Sequence, residues 1–257
     1  MTIQLSFLPE IVTIYMLIFS RVGTMVMLLP ALGESSIPVR MRLTIALLLS
    51  LVLYPVIQDR YPAGLLNNMM QLAIMLGGEL LLGFAIGLCA KMITSALQTA
   101  GMIIASQSSL AMALGGDVTN SGQQGTLVAN YLSILGITLI FVTDTHYLVI
   151  AALHDSFTLF PPGSWLPLAD FAELATQTFA GVFSVAVRLS APFIVVGIVF
   201  YFGLGLLNKL MPQMQIFFIA MPVNIAIGLG LLLVLLSTIM TVYLGHFEMA
   251  IGKFTLG

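Results

Sequence analysis

Charge is what this chain has least of. Its 257 residues include eight Lys or Arg and ten Asp or Glu, so charged side chains make up 7%. Soluble domains carry roughly 25%, which excludes a soluble globular domain. The formal net charge is −2 and no basic or acidic block occurs, so nucleic acid is excluded as a partner. The single cysteine, Cys89, cannot form an internal disulfide and reads as a small core residue. His146, His154 and His246 are scattered without metal-ligand spacing, so no metal or cofactor is expected. No Lys or Arg precedes Arg21 and no early small-residue cleavage pattern occurs, so a cleaved signal peptide is not expected. No nucleophile, base and orienting group cluster together and no phosphate-cradling loop appears; no reaction of its own is expected.

What is present is apolar sequence. Hydrophobic residues reach 60% and mean hydropathy is +1.11. Sixteen Met and 23 Gly suit closely packed membrane helices. Ile11–Leu32 can span a bilayer, which needs about 20 residues, and carries Arg21 at its middle. A polar connector, Ala31–Arg42, leads to the short apolar stretch Leu43–Ile57, closed by Gln58–Pro62. Met69–Ala90 holds Glu79 and the spaced pair Gly83 and Gly87, which reads as helix packing. Thr126–Val142 is apolar, Thr143-Asp144 predicts a break with a fresh helix start, and His146–Phe160 follows. Pro161–Trp165 brings the only Trp to a plausible interface. Leu174–Leu207 contains Arg188 and Pro192, and a connector at Asn208–Gln213 separates it from Met214–Val242, with Pro222 and Gly228 inside. The pattern predicts an all-α, integral membrane-type protein.

The informative stretch is Ser106–Gly125, a polar, glycine-rich island between apolar flanks. The helix expected before it, Lys91–Leu114, is too polar to face lipid all round, and Gly101, Ala105, Ser109 and Ala113 form one narrow stripe of small side chains. Irregular backbone survives at bilayer depth only when buried in protein or lining water. Counting positive charges inside places connectors at Arg40 and Arg42, Lys91 and Lys209 in the cytoplasm and the Asp155–Glu173 region outside. Parity then fails unless Ser106–Gly125 turns within the structure, so a re-entrant central loop is expected.

Three runs carry a resemblance. RVGTMVMLLPALGESSIPVRMR (Arg21–Arg42), SLAMALGGD (Ser109–Asp117) with HYLVIAALHDSFTLFPPG (His146–Gly163), and RLSAPFIVVGIVFYFGLGLLNKLMPQMQIFFIAMPVNI (Arg188–Ile225) resemble the FliR/SctT family of type III export-gate proteins, in the family's order along nearly the whole chain. The resemblance implies a FliP-like helical portion, residues 1–173, joined to a FliQ-like helical hairpin, residues 174–257. It implies assembly with several FliP-type and FliQ-type subunits, with FlhB- and FlhA-type proteins, in the bacterial inner membrane at the flagellar basal body. Unfolded exported proteins would be the cargo. It also implies that the central loop, 106–125, is a plug in the channel, with Leu110, Met112, Leu114, Gly115, Gly116, Asp117 and Gly122 as its residues. Met112 and Leu114 would obstruct water, and the glycines would let the backbone move aside. Departures from the family are Val118 after Asp117 in place of Pro, a smaller apolar set in the plug, and Gln215 in place of Asn after Pro-Gln-x. Pro212, Gln213 and Met214 would shape the hairpin turn.

Arg21, Glu79 and Arg188, charges inside apolar segments, are functional candidates by default. Burial at helix interfaces, as a structural ion pair or in contact with backbone carbonyls between subunits, is the preferred reading, because a proton relay wants several carboxylates in a row and the apolar segments hold only Glu79. Two rival functions are a secondary transporter with a midplane site formed by broken helices, which would need inverted repeats, and an intramembrane enzyme acting on lipid, which would need paired acid and base groups.

Overall fold

The computed structural model describes residues 8–34, 37–62, 68–111, 126–163, 168–211 and 216–255. Among these residues the only regular structure is helical. In chain order the helices are α1 (Leu8–Leu28), α2 (Val39–Ile57), α3 (Met69–Gln107), α4 (Thr126–Val142), α5 (His146–Leu159), α6 (Leu168–Leu210) and α7 (Ile216–Ile251). Single 3-10 turns at Gln58–Arg60 and Gly252–Phe254 close α2 and α7. Five of these helices are long and apolar enough to cross a membrane, and α4 with α5 makes a sixth if counted as one broken span. That composition and length make the chain an all-α, membrane-type protein.

The chain divides into two compact units. One runs to Ile93 and takes in Asp144–Thr178 and the tail from Glu248; the other comprises Thr94–Thr143 and Phe179–Phe247. In the first unit, α1 buries Ile14, Leu17, Ile18, Val22, Met25, Val26 and Leu29, one stripe at three- and four-residue spacing. On α3 the matching stripe is Met75, Leu82, Ile86, Cys89, Ala90 and Ile93. Gly83 and Gly87 bring these helices together: a Cβ at Gly83 would fall on the Arg21 carbonyl and the Thr24 hydroxyl, and one at Gly87 would meet Met25 Cα at 3.2 Å. Small residues where backbones touch are the expected solution in a membrane protein, whose helices gain little from excluding lipid. Helix α2 packs on α1, and the Tyr15 hydroxyl donates to the Leu47 carbonyl at 3.1 Å. Arg42, in the first turn of α2, folds back to donate to the Glu34 and Ile37 carbonyls at 2.5 and 2.9 Å, closing the preceding turn.

In the second unit, Gly101 lies where a Cβ would be 2.5 Å from Ala129 Cα, so this member of the small-residue stripe lets α3 pack closely on α4. The α4–α5 break falls where the sequence predicts it. Asp144 adopts φ +59°, a left-handed conformation that Asp tolerates better than most residues.

One expectation is corrected. Met69–Ala90 and Lys91–Leu114 are not two elements meeting at a basic connector: α3 is one helix of 39 residues, and Lys91 lies on its exposed side near the middle. Nothing between Gly87 and Gly101 breaks a helix, and Cys-Ala-Lys-Met-Ile continues one readily. Lys91 therefore marks no end of a helix.

Candidate functional site

The chain leaves α3 through Ser106-Gln107-Ser108-Ser109, where serine side chains compete for backbone hydrogen bonds. Ser106 donates to the Ile103 carbonyl at 2.8 Å and Ser108 to the Ile104 carbonyl. Ser109 then takes φ +56°, a left-handed turn that a serine adopts only when held there. Two neighbours hold it. Asn224 of α7, 2% exposed, donates from Nδ2 to the Gln107 carbonyl at 3.1 Å and to Ser109 Oγ at 2.8 Å. The Tyr201 hydroxyl of α6 lies 3.3 Å from the same Oγ. The last carbonyls of a helix lack partners within it, and the Asn224 amide supplies one to Gln107.

Glycines make room for this junction. A Cβ at Gly197 of α6 would lie 2.6 Å from Gln107 Oε1, and one at Gly228 of α7 would collide with Ser108. The end of α3 thus meets α7 at close to backbone distance at Ser108 and α6 through the Gln107 side chain. The next residue, Leu110, is buried at 3% exposure. Of the other residues predicted for the plug, Met112, Leu114, Gly115, Gly116, Asp117 and Gly122 lie outside the described residues, as do Pro212, Gln213 and Met214 of the predicted hairpin turn.

A second polar centre lies in the first unit. Arg21 sits on the buried stripe of α1 and is fully buried, and Glu79 occupies the facing stripe of α3 at 2% exposure. Their periodicity puts both charges in the core, where neither persists without a partner. Arg21 Nε donates to Glu79 Oε2 in a close ion pair. Its Nη1 donates to the Ser156 and Phe160 carbonyls at 2.9 and 3.0 Å, and the Phe157 ring lies 4.3 Å from the guanidinium carbon. Arg21 therefore caps the C-terminal end of α5 and joins it to α1 and α3. Tyr61, just past α2, lies beside the pair; burial first, and the Glu79 carboxylate second, push its hydroxyl pKa well above the ordinary tyrosine value.

Arg188, grouped in the sequence with these charges, does not join them. It is exposed on α6, in the other unit. Burial on α6 falls on Val185, Ala186, Leu189, Ser190 and Phe193, and position 188 lies off that stripe. Asn224, Tyr201 and Gly197 are functional candidates that the sequence reading passed over. A lone Asn in the apolar first half of α7, Ile216–Leu236, was the available signal.

The family described as bacterial export proteins, family 1, matches residues 12–250. Over 248 residues the chain is 41% identical to the flagellar biosynthetic protein FliR of Caulobacter vibrioides, covering 93% of this chain and 94% of that one. It is 29% identical to the protein of the same name in Escherichia coli K12 over 85% of this chain and 82% of the relative. It is also 28% identical to the Yop proteins translocation protein T of Yersinia pestis, over 86% and 84%.

Proposed function

The chain belongs to the bacterial export proteins, family 1, and from that premise we propose that it is a subunit of a type III export gate in the bacterial inner membrane, of the flagellar kind. With FliP-type and FliQ-type subunits it forms a channel for unfolded flagellar proteins, and FlhB- and FlhA-type proteins join the assembly. The observation that carries this reading is the end-to-end similarity to a flagellar FliR protein at 41% identity. Similarity to a Yop translocation protein extends it to type III export in general.

The central segment, Leu110 through Gly122, acts as a plug that obstructs the passage with Met112 and Leu114 and yields at Gly115, Gly116 and Gly122. Its support is compositional: a glycine-rich polar island between apolar helices, entered through the polar junction at Ser109. Residues 174–257 act as a FliQ-like hairpin, a role that suits two long helices joined at 211–215. Residues 1–173 act as the FliP-like portion. The work of export comes from partners or from the membrane potential.

The test is co-expression with FliP-type and FliQ-type partners followed by conductance in planar bilayers. The chain alone should be poorly behaved and become stable in the assembly. Deleting 110–122 should raise ion leakage through the purified complex; unchanged conductance would remove the plug assignment. Stability of the chain alone, with saturable binding of a small solute, would favour a transporter instead.

A further inference from the structure

The seating of Ser109 has a consequence for how the central segment is held. Ser109 pays for a left-handed backbone at φ +56° without being glycine, in a chain that uses 23 glycines elsewhere. A glycine would adopt this turn without strain but would carry no hydroxyl. The hydroxyl at this position is the atom that Asn224 Nδ2 reaches at 2.8 Å and that Tyr201 approaches at 3.3 Å. Asn224 spends its second N–H on the Gln107 carbonyl, two residues earlier on the same turn. One amide thus grips the chain on both sides of Ser108, from a helix that is otherwise apolar around it. The Gly228 gap permits that approach, since a side chain there would collide with Ser108 and push the end of α3 away from α7, while Gly197 leaves room for the Gln107 side-chain amide.

We propose that Asn224 is the positioning residue of the central segment: by holding the Gln107 carbonyl and the Ser109 hydroxyl together it fixes the point and direction at which the chain leaves α3, with Tyr201 as the secondary contact. This rests on the plug reading given above. Asn224 does not touch cargo; it acts through Ser109. Losing the grip frees the left-handed turn to relax, and the segment it anchors then loses a defined origin.

The experiment uses the assembled complex, co-expressed with FliP-type and FliQ-type partners. Unaltered, Asn224→Ala, Ser109→Ala and doubly substituted complexes are compared for ion leak in planar bilayers. Parallel preparations carry Ala111→Cys labelled with a nitroxide; the native Cys89 is buried and stays unlabelled. Asn224→Ala should assemble, raise leak roughly tenfold, as expected for about one lost buried hydrogen bond, and sharpen the nitroxide spectrum at 111. Ser109→Ala should give a smaller rise, and the double variant should leak no more than Asn224→Ala alone. Unchanged leak and unchanged label mobility in an assembled Asn224→Ala complex overturn the proposal. So does strict additivity of the two substitutions. If Asn224→Ala does not assemble, Ser109→Ala and Tyr201→Phe, which leave α7 intact, are read by the same two measurements and decide in the same way. Deletion of 110–122 separates this proposal from the reading beneath it. Leak from the deletion without leak from Asn224→Ala removes the positioning role and leaves the plug. No leak from the deletion removes the plug, while the label at 111 still reports whether Asn224 positions the segment.

Discussion

Replacing Arg21 should cost more than replacing the residue it pairs with, because Arg21 does three jobs and Glu79 one. Arg21→Met removes the ion pair, both carbonyl contacts at the end of α5 and the packing on the Phe157 ring. The Ser156 carbonyl still accepts the Phe160 N–H at 3.0 Å, so the new vacancy is at the Phe160 carbonyl. The larger penalty is Glu79, left 2% exposed with no cation beside it. Removing one partner of a buried pair costs about 3–5 kcal/mol, and a chain of this size converts that to a melting-temperature drop on the order of 10 °C. Glu79→Gln leaves Arg21 its two carbonyls and the ring, so it should cost about 2 kcal/mol, the worth of a hydrogen bond to a charged group. The double variant Arg21→Met with Glu79→Leu leaves no charge behind and should fall within about 1 kcal/mol of the unaltered protein, since apolar replacement of a buried pair is often neutral. The assay is thermal unfolding of the co-purified complex in detergent, with Glu79→Leu alone measured as well to close the double-mutant cycle, and swimming-halo diameter as the export readout. A double variant as unstable as the sum of the singles would refute the reasoning, because the cost would then lie in packing and not in an orphaned charge.

Three further outcomes follow from particular contacts. Gly83→Ala should destabilise by about 1–3 kcal/mol through overpacking against the α1 backbone, whereas Gly181→Ala, with nothing within 4 Å of the added methyl, should stabilise by about 0.5–1 kcal/mol; both are read as melting temperatures. Tyr61 should make stability fall at high pH. Its raised native pKa means the folded state keeps the phenolic proton that an unfolded tyrosine releases near pH ~10, so its contribution is full below that pH and lost above it, and Tyr61→Phe should reduce the slope in a pH-melting series. Arg188→Gln should leave thermal stability within about 0.5 kcal/mol, because Arg188 is exposed; a loss as large as that of Arg21→Met would contradict its placement.

The spacing of residues carried much of this fold. Arg21 lies three and four residues from Ile18, Leu17 and Met25, and Glu79 stands in the same relation to Met75 and Leu82, so both charges were destined for core stripes and for each other. The break at Thr143-Asp144 was legible because a threonine and an aspartate in succession interrupt an apolar run. Lys91 misled because a charge in an apolar stretch reads as an end, yet a long lysine side chain can leave a helix from its exposed side without interrupting it. The grip of Asn224 on Ser109 joins residues 115 apart. No local pattern encodes such a pairing; the lone Asn224 in an apolar stretch marks one partner and leaves the other unnamed.

Helix length bears on what covers the exposed apolar surface. Helices α3, α6 and α7 have 39, 43 and 36 residues, roughly 58, 65 and 54 Å at a rise of about 1.5 Å per residue. The hydrocarbon core of a bilayer is about 30 Å thick. On α6, exposed apolar side chains run from Phe179 at 61% to Leu210 at 77% exposure, a rise of roughly 47 Å along the helix. Even at a tilt of about 40°, the upper end of what membrane helices adopt, that stretch stands roughly 36 Å high. No position in the bilayer therefore puts both ends in hydrocarbon. Helix α2, with 19 residues and an exposed apolar face from Leu43 to Val56, fits within one leaflet pair and needs nothing but lipid. The surplus on α6 needs a protein cover, which is what membership in a multi-subunit gate supplies and a solitary carrier of this length would lack.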